Sequence, residues 1–127
     1  MSREAIHTDG APSAIGPYSQ AVRAGSLLFV SGQIPLDPAT GEPIDGDITV
    51  QTHRVMQSLQ AILEAAGAGF DQVMRTTIYV TDLSHFLTVN TAYGEYFTDP
   101  APARATVQVA ALPKGVHVEI DAIAVLD

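Results

Sequence analysis

The residue types best suited to chemistry in this 127-residue chain gather near its end: Arg104, Thr106, Glu119 and Asp121. A guanidinium can clamp a carboxylate through two parallel hydrogen bonds. A glutamate can activate water or shuttle a proton when burial and a neighbouring charge tune it. A threonine hydroxyl becomes a nucleophile only beside a base such as histidine, and the expected neighbour of Thr106 is a carboxylate. On these four residues alone, a solvated strand face with Arg104 paired to Asp121 fits as well as a small-anion site. Both readings stay open.

Alternation indicates what holds them. Residues 102–109 and 117–125 each alternate apolar and polar side chains with period two, the pattern of strands with one buried face. Between them, Ala111 to Gly115 supplies the Pro and Gly of a reversal. The expectation is a β-hairpin in which Val107 faces Val118 and Ala105 faces Ile120. Its polar face would set Gln108 against His117, Thr106 against Glu119 and Arg104 against Asp121. A slip of one residue would put Arg104 and Thr106 against apolar partners. The apolar face would meet helices, and the polar face suggests covering by another subunit.

Upstream, an edge strand over residues 3–8 precedes a loop from Ala11 to Ser19, broken by Pro12, Gly16 and Pro17. Gln20 to Gly25 and the buried strand Leu27 to Ile34 read as a pair joined at Gly25-Ser26. After an exposed loop from Pro35 to Gly46, Asp47 or Thr49 caps a helix. Its stripe is Val55, Leu59, Ile62, Leu63 and Ala66, and Gly67 ends it. Gln72 to Thr81 is β-branched and aromatic enough for a central strand. Asp82 or Ser84 caps a second helix carrying Phe86, Val89, Tyr93 and Phe97. The predicted class is α+β: one domain over residues 1–127, with both helices on one face of a single sheet.

Composition narrows the function. Fourteen acidic residues oppose six basic ones, giving a net charge of −8 with no basic cluster. Nucleic acids and anionic membranes both select clustered Lys and Arg, so neither is an expected partner. The absence of cysteine excludes disulfides, thiolate metal sites and a Cys nucleophile. His7, His53, His85 and His117 are scattered, and no glycine string matches a phosphate-binding motif, so no metal or nucleotide site is expected. The first residues lack the apolar core of a signal peptide and no run approaches a membrane span; the expected location is cytoplasmic. Tyr18 in its loop and Ser31-Gly32 at a strand end stand where site residues often do.

Five segments add something more specific. They are Ile15-Gly16-Pro17-Tyr18-Ser19-Gln20-Ala21, Phe29-Val30-Ser31-Gly32-Gln33-Ile34-Pro35, Pro102-Ala103-Arg104, Leu112-Pro113-Lys114 and Val118-Glu119-Ile120-Asp121-Ala122-Ile123-Ala124. In this order, over nearly the whole chain, they resemble the Rid family, also called the YjgF family. The resemblance implies a chorismate-mutase-like fold with a single mixed sheet, and a homotrimer with sites in the clefts between subunits. It implies imine deamination without metal or cofactor. Reactive 2-imino acids of the 2-iminobutanoate and 2-iminopropanoate type, or enamines, released by pyridoxal-phosphate enzymes, would be hydrolysed to 2-keto acids and ammonia. By position, Arg104 would grip the substrate carboxylate and Glu119 would position and activate the water. Thr106 would sit beside that water and act through its backbone. Tyr18, Ser31 and Gly32 would line the pocket, and Asn90 would support it from the second helix.

The competing expectations are a non-catalytic module that holds small carboxylates and a hydrolase for another enamine, of aminoacrylate or aminomuconate type. A third is the ribonuclease or translation-inhibitor activity attributed to some relatives, against which the acidic balance argues. Three departures from the family pattern stand out. Thr106 stands where Cys is frequent, so thiol-dependent behaviour is expected to be absent. A shortened Thr98-Asp99-Pro100-Ala101 without the usual aromatic would reshape the pocket and bears on substrate range. Ala111 stands where a basic residue is frequent.

Overall fold

The computed structural model describes residues 2–127. In chain order the elements are β1 (Glu4–Ile6), β2 (Ala21–Ala24), β3 (Leu27–Gln33), α1 (Ile48–Ala65), β4 (Val73–Val80), α2 (Phe86–Gly94), β5 (Ala103–Gln108) and β6 (Val118–Val125). The strands form one sheet in the order β1-β2-β3-β6-β4-β5. It is mixed: β4 and β5 run parallel and every other pair is antiparallel.

Local chemistry sets several boundaries. The Asp47 carboxylate accepts a 3.0 Å hydrogen bond from the Val50 N–H, satisfying an otherwise unpaired amide at the start of α1. Gly25 takes φ 61° in the turn between β2 and β3, where a side chain would be strained. Asp82 caps a short 3₁₀ turn, Leu83–His85, and α2 starts only after it.

Both helices cover the same face of the sheet. Val55, Met56, Leu59, Ile62 and Leu63 of α1, with Val89 and Tyr93 of α2, share one core with Leu28, Val30, Ile78, Val80, Val118 and Ile120. Each fully buried branched side chain of this kind contributes about 1.5–3 kcal/mol relative to leaving it in water. The buried Thr76 hydroxyl is satisfied by the Tyr93 hydroxyl at 2.7 Å, which ties β4 to α2. β3 is buried on this face alone. Leu27 and Phe29 point to the opposite, outer face, as do Val107 and Val125.

The closing hairpin does not form. β4 lies between β5 and β6, pairing with β5 through Thr76↔Arg104 and Ile78↔Thr106, and with β6 through Tyr79↔Glu119 and Ile78↔Ile120. Residues 109–117, with a 3₁₀ turn at Pro113–Gly115, carry the chain across that gap. The physical reason is that β4 can satisfy both of its edges only with two neighbours. Alternation reports which side chains share a face; it is silent about the partner strand and about which face meets the helices. In β5 the expectation is reversed, with Val107 on the outer face and Arg104 and Thr106 on the helix side.

Candidate functional site

The inserted strand changes which polar residues meet. Arg104 is level with Thr76 on β4, whereas Glu119 is level with Tyr79, three residues on. Side chains alternate along a strand, so Arg104 and Thr106 share the helix-covered face while Glu119 and Asp121 share the outer one. The expected pairs Arg104–Asp121, Thr106–Glu119 and Gln108–His117 are therefore absent. Instead Asp121 accepts a 3.1 Å hydrogen bond from the Tyr79 hydroxyl. The Gln108 side-chain oxygen accepts from the Leu83 N–H at 2.9 Å, and His117 bonds the Thr81 hydroxyl.

Two half-sites result. On the helix side, the Arg104 guanidinium carbon lies 5.2 Å from the Tyr93 ring centroid and 5.6 Å from that of Phe86. Aromatic faces hold a cation without neutralising it, and among the described residues no carboxylate forms an ion pair with Arg104. Burial raises the pKa of Tyr93, opposed by the Thr76 hydrogen bond and the Arg104 charge. Asn90 is half-buried on α2, on the turn between Phe86 and Tyr93. The Thr106 hydroxyl oxygen is shielded from solvent without a hydrogen-bond partner. This half presents a cation with unused donor capacity.

On the outer side, a cavity of about 550 Å³ is lined by Tyr18, Ser31, Gly32, Ile34, Lys114 and Glu119, among others. Its wall is built by several local devices. The buried Gln20 side chain accepts from the Thr8 N–H at 2.7 Å and donates to the carbonyls of Thr8, Ala11 and Pro12, fastening the loop before β2. Ser31 donates its hydroxyl to the Ser19 carbonyl at 2.6 Å. Lys114 reaches across to the Gly41 carbonyl at 2.9 Å, holding the 35–44 loop beside the cavity. Gly32 makes room for the acid: a β-carbon there would fall 2.9 Å from Glu119 Cδ and closer still to one carboxylate oxygen. Burial pushes the Glu119 pKa up, and the charge of Asp121 pushes it further. A carboxyl of this kind can exchange protons closer to neutrality than a solvated one.

Tyr18, Ser31, Gly32 and Glu119 thus meet in one cavity, while Arg104, Thr106 and Asn90 lie across the sheet. Sequence reasoning missed the two rings under Arg104, because Phe86 and Tyr93 carry the same helical spacing as core residues. It also missed Gln20, Tyr79 and Lys114; only the polar type of Gln20 beside an apolar strand hinted at a buried role. Among the described residues no group of His, Asp and Glu converges as a metal site would.

A family model described as Endoribonuclease L-PSP, the Rid or YjgF group, matches residues 8–126. The chain belongs to the Rid family. It is 61% identical over 127 residues to Protein DfrA of Myxococcus xanthus, covering 98% of this chain and 97% of that one. It is 47% identical to the mouse 2-iminobutanoate/2-iminopropanoate deaminase, covering 96% of this chain and 91% of the relative. Among solved structures, Escherichia coli TdcF with bound serine superposes with a TM-score of 0.92 at 44% identity, covering 98% of this chain and 99% of that one. The Rid fold accounts for the mixed sheet with both helices on one face. No helix among the described residues is long and apolar enough to cross a membrane.

Proposed function

We propose that this Rid protein hydrolyses reactive 2-imino acids and their enamine tautomers to 2-keto acids and ammonia, in sites formed between copies of the chain. The observation that carries the reading is the separation of an unpaired Arg104 from a half-buried Glu119 by the thickness of one sheet. A single chain cannot direct both at one small molecule. A second copy, laid against the outer face, can bring its Arg104 to the Glu119 cavity of the first. The outer face has the surface for this: Leu27, Phe29, Val107 and Val125 are 41%, 45%, 40% and 38% exposed, and water-facing apolar side chains favour burial against a partner. The family resemblance supports a homotrimer as that assembly.

In such a site the arginine fixes the substrate carboxylate and leaves the imine carbon beside water held by Glu119. As water attacks the protonated imine, Glu119 accepts one of its protons and a carbon–oxygen bond forms. The acid returns that proton to nitrogen, and as the carbon–nitrogen bond breaks Glu119 takes the remaining hydroxyl proton. The carbonyl of the 2-keto acid forms, ammonia leaves, and the proton passes on to ammonia or solvent. Orientation supplies most of the acceleration, because a protonated imine is already electrophilic. Thr106 borders the water through its backbone. Tyr18, Ser31 and Gly32 shape the Glu119 side, and Asn90 supports the Arg104 side. The mouse relative's name supports the substrate class, and the serine bound to TdcF supports a small amino-acid-like ligand. We place the activity in the cytoplasm, where pyridoxal-phosphate enzymes release such imines. The net charge of −8 argues against the nuclease chemistry in the family model's description.

The test is to generate 2-iminobutanoate in situ with an amino-acid oxidase and follow its disappearance. Acceleration that is lost in Arg104→Ala and Glu119→Ala supports deamination. No acceleration with several imines, together with 2-keto acid binding by calorimetry, would make the protein a small-carboxylate binding module.

A further inference from the structure

On the outer face, Asp121 follows Glu119 at the next same-face position of β6, about 7 Å along the strand. Tyr79 stands level with Glu119 on the neighbouring strand and leans diagonally to donate its hydroxyl to Asp121 at 3.1 Å. We propose that Asp121, held in place by the Tyr79 hydroxyl, is a positioning residue that sets how readily Glu119 takes and returns its proton. The inference rests on the reading of Glu119 as the acid–base group and adds to it the device that tunes that group.

The geometry supports it from each element around Glu119. From β3 come Ser31 and Gly32, neither of them ionisable. From β4 comes Tyr79, whose pKa is raised by burial and by Asp121, so it remains a hydroxyl donor at neutral pH. From the loop before β2 comes Tyr18, and from the turn before β6 comes Lys114, whose ammonium is turned to the Gly41 carbonyl and lies 3.6 Å from Glu42. Just before β6, His117 is exposed and bonded to Thr81. Among the described residues Asp121 is thus the one fixed carboxylate facing Glu119, and its negative charge opposes ionisation of its neighbour. Without Tyr79 the Asp121 side chain could turn into solvent, where the field it exerts would be screened.

The experiment follows the Glu119 side-chain carboxyl by carbon NMR through a pH titration of the full-length protein, alongside the pH profile of kcat. In Asp121→Asn the Glu119 midpoint should move to lower pH, and the acidic limb of kcat should move with it. Plateau kcat should fall roughly two- to five-fold with KM unchanged, because a less basic carboxylate accepts a proton less readily. Asp121→Glu keeps the charge and should restore most of the midpoint, and Tyr79→Phe should bring it part of the way toward the Asn variant. A midpoint unmoved in a folded Asp121→Asn protein overturns the inference. A midpoint that moves in a protein with no imine hydrolysis leaves the tuning standing and overturns the proposed function, so the two failures are separable.

Discussion

Arg104 and Glu119 point to opposite faces of the same sheet, level with Thr76 and Tyr79 of the strand that separates them. A site that needs both must draw them from different copies. Mixing Arg104→Ala with Glu119→Ala, each inactive alone, and allowing subunits to exchange should therefore restore activity. Random assembly of a head-to-tail ring pairs an intact arginine with an intact glutamate at about one site in four. Recovery near a quarter of wild-type kcat supports the shared site. Zero recovery in a mixture shown by native mass spectrometry to contain hybrids would refute it, as would a clean monomer by sedimentation.

Gly32 is the position where the least change should do most harm to chemistry. The β-carbon of Gly32→Ala would press on the Glu119 carboxyl and force it aside. Displacing a catalytic group by about 1 Å can cost roughly a hundred-fold in rate. We expect a loss of ten- to a hundred-fold in kcat with a melting temperature within a few degrees of wild type. An active Gly32→Ala would mean that Glu119 works from another rotamer.

The sequence was informative wherever a local rule governs the structure. The Asp47 cap, the α1 stripe and the Gly25 turn follow from capping, helical period and the absence of a β-carbon, all short-range effects. The faces of residues 118–124 were legible for the same reason, but those of 104–108 were inverted. Val107, expected against the helices, lies on the outer face, and Arg104 and Thr106 take the helix side. Pairing was not legible, because strands with alternating apolar faces can be partnered by any other, and the choice rests on how β4 fills its two edges. The site inherits that ambiguity. One misplaced strand joined Arg104 to Asp121, when its neighbours are the rings of Phe86 and Tyr93.

Glu119 also carries a stability cost with a definite pH signature. Its folded pKa is raised above the ordinary 4.5, first by burial and then by Asp121. Above 4.5 the unfolded chain releases this proton before the folded one does, so the residue's contribution to stability is present below that value and lost as pH rises through the folded pKa. Glu119→Gln removes the charge that opposes folding. The variant should melt higher than wild type at pH 7, with the gap closing near pH 4, while deamination is abolished. Equal melting curves at both pH values would show that Glu119 is better solvated than its surroundings indicate.

The Tyr93 side chain does two things that one substitution can separate. Its hydroxyl satisfies the buried Thr76 hydroxyl, and its ring supports the Arg104 guanidinium. Tyr93→Phe keeps the ring and strands the Thr76 hydroxyl, which costs about 1–3 kcal/mol when a buried group loses its partner. The melting temperature should fall by roughly 3–10 °C for a domain of this size. Because the arginine keeps its aromatic support, kcat/KM should stay within about three-fold of wild type. Adding Thr76→Val to Tyr93→Phe removes the stranded hydroxyl and should recover much of the lost stability, since replacing both partners with apolar groups can be nearly neutral. If Tyr93→Phe alone lowered kcat/KM a hundred-fold at unchanged stability, the hydroxyl would be part of the chemistry, and Tyr93 would have to be placed against the substrate itself.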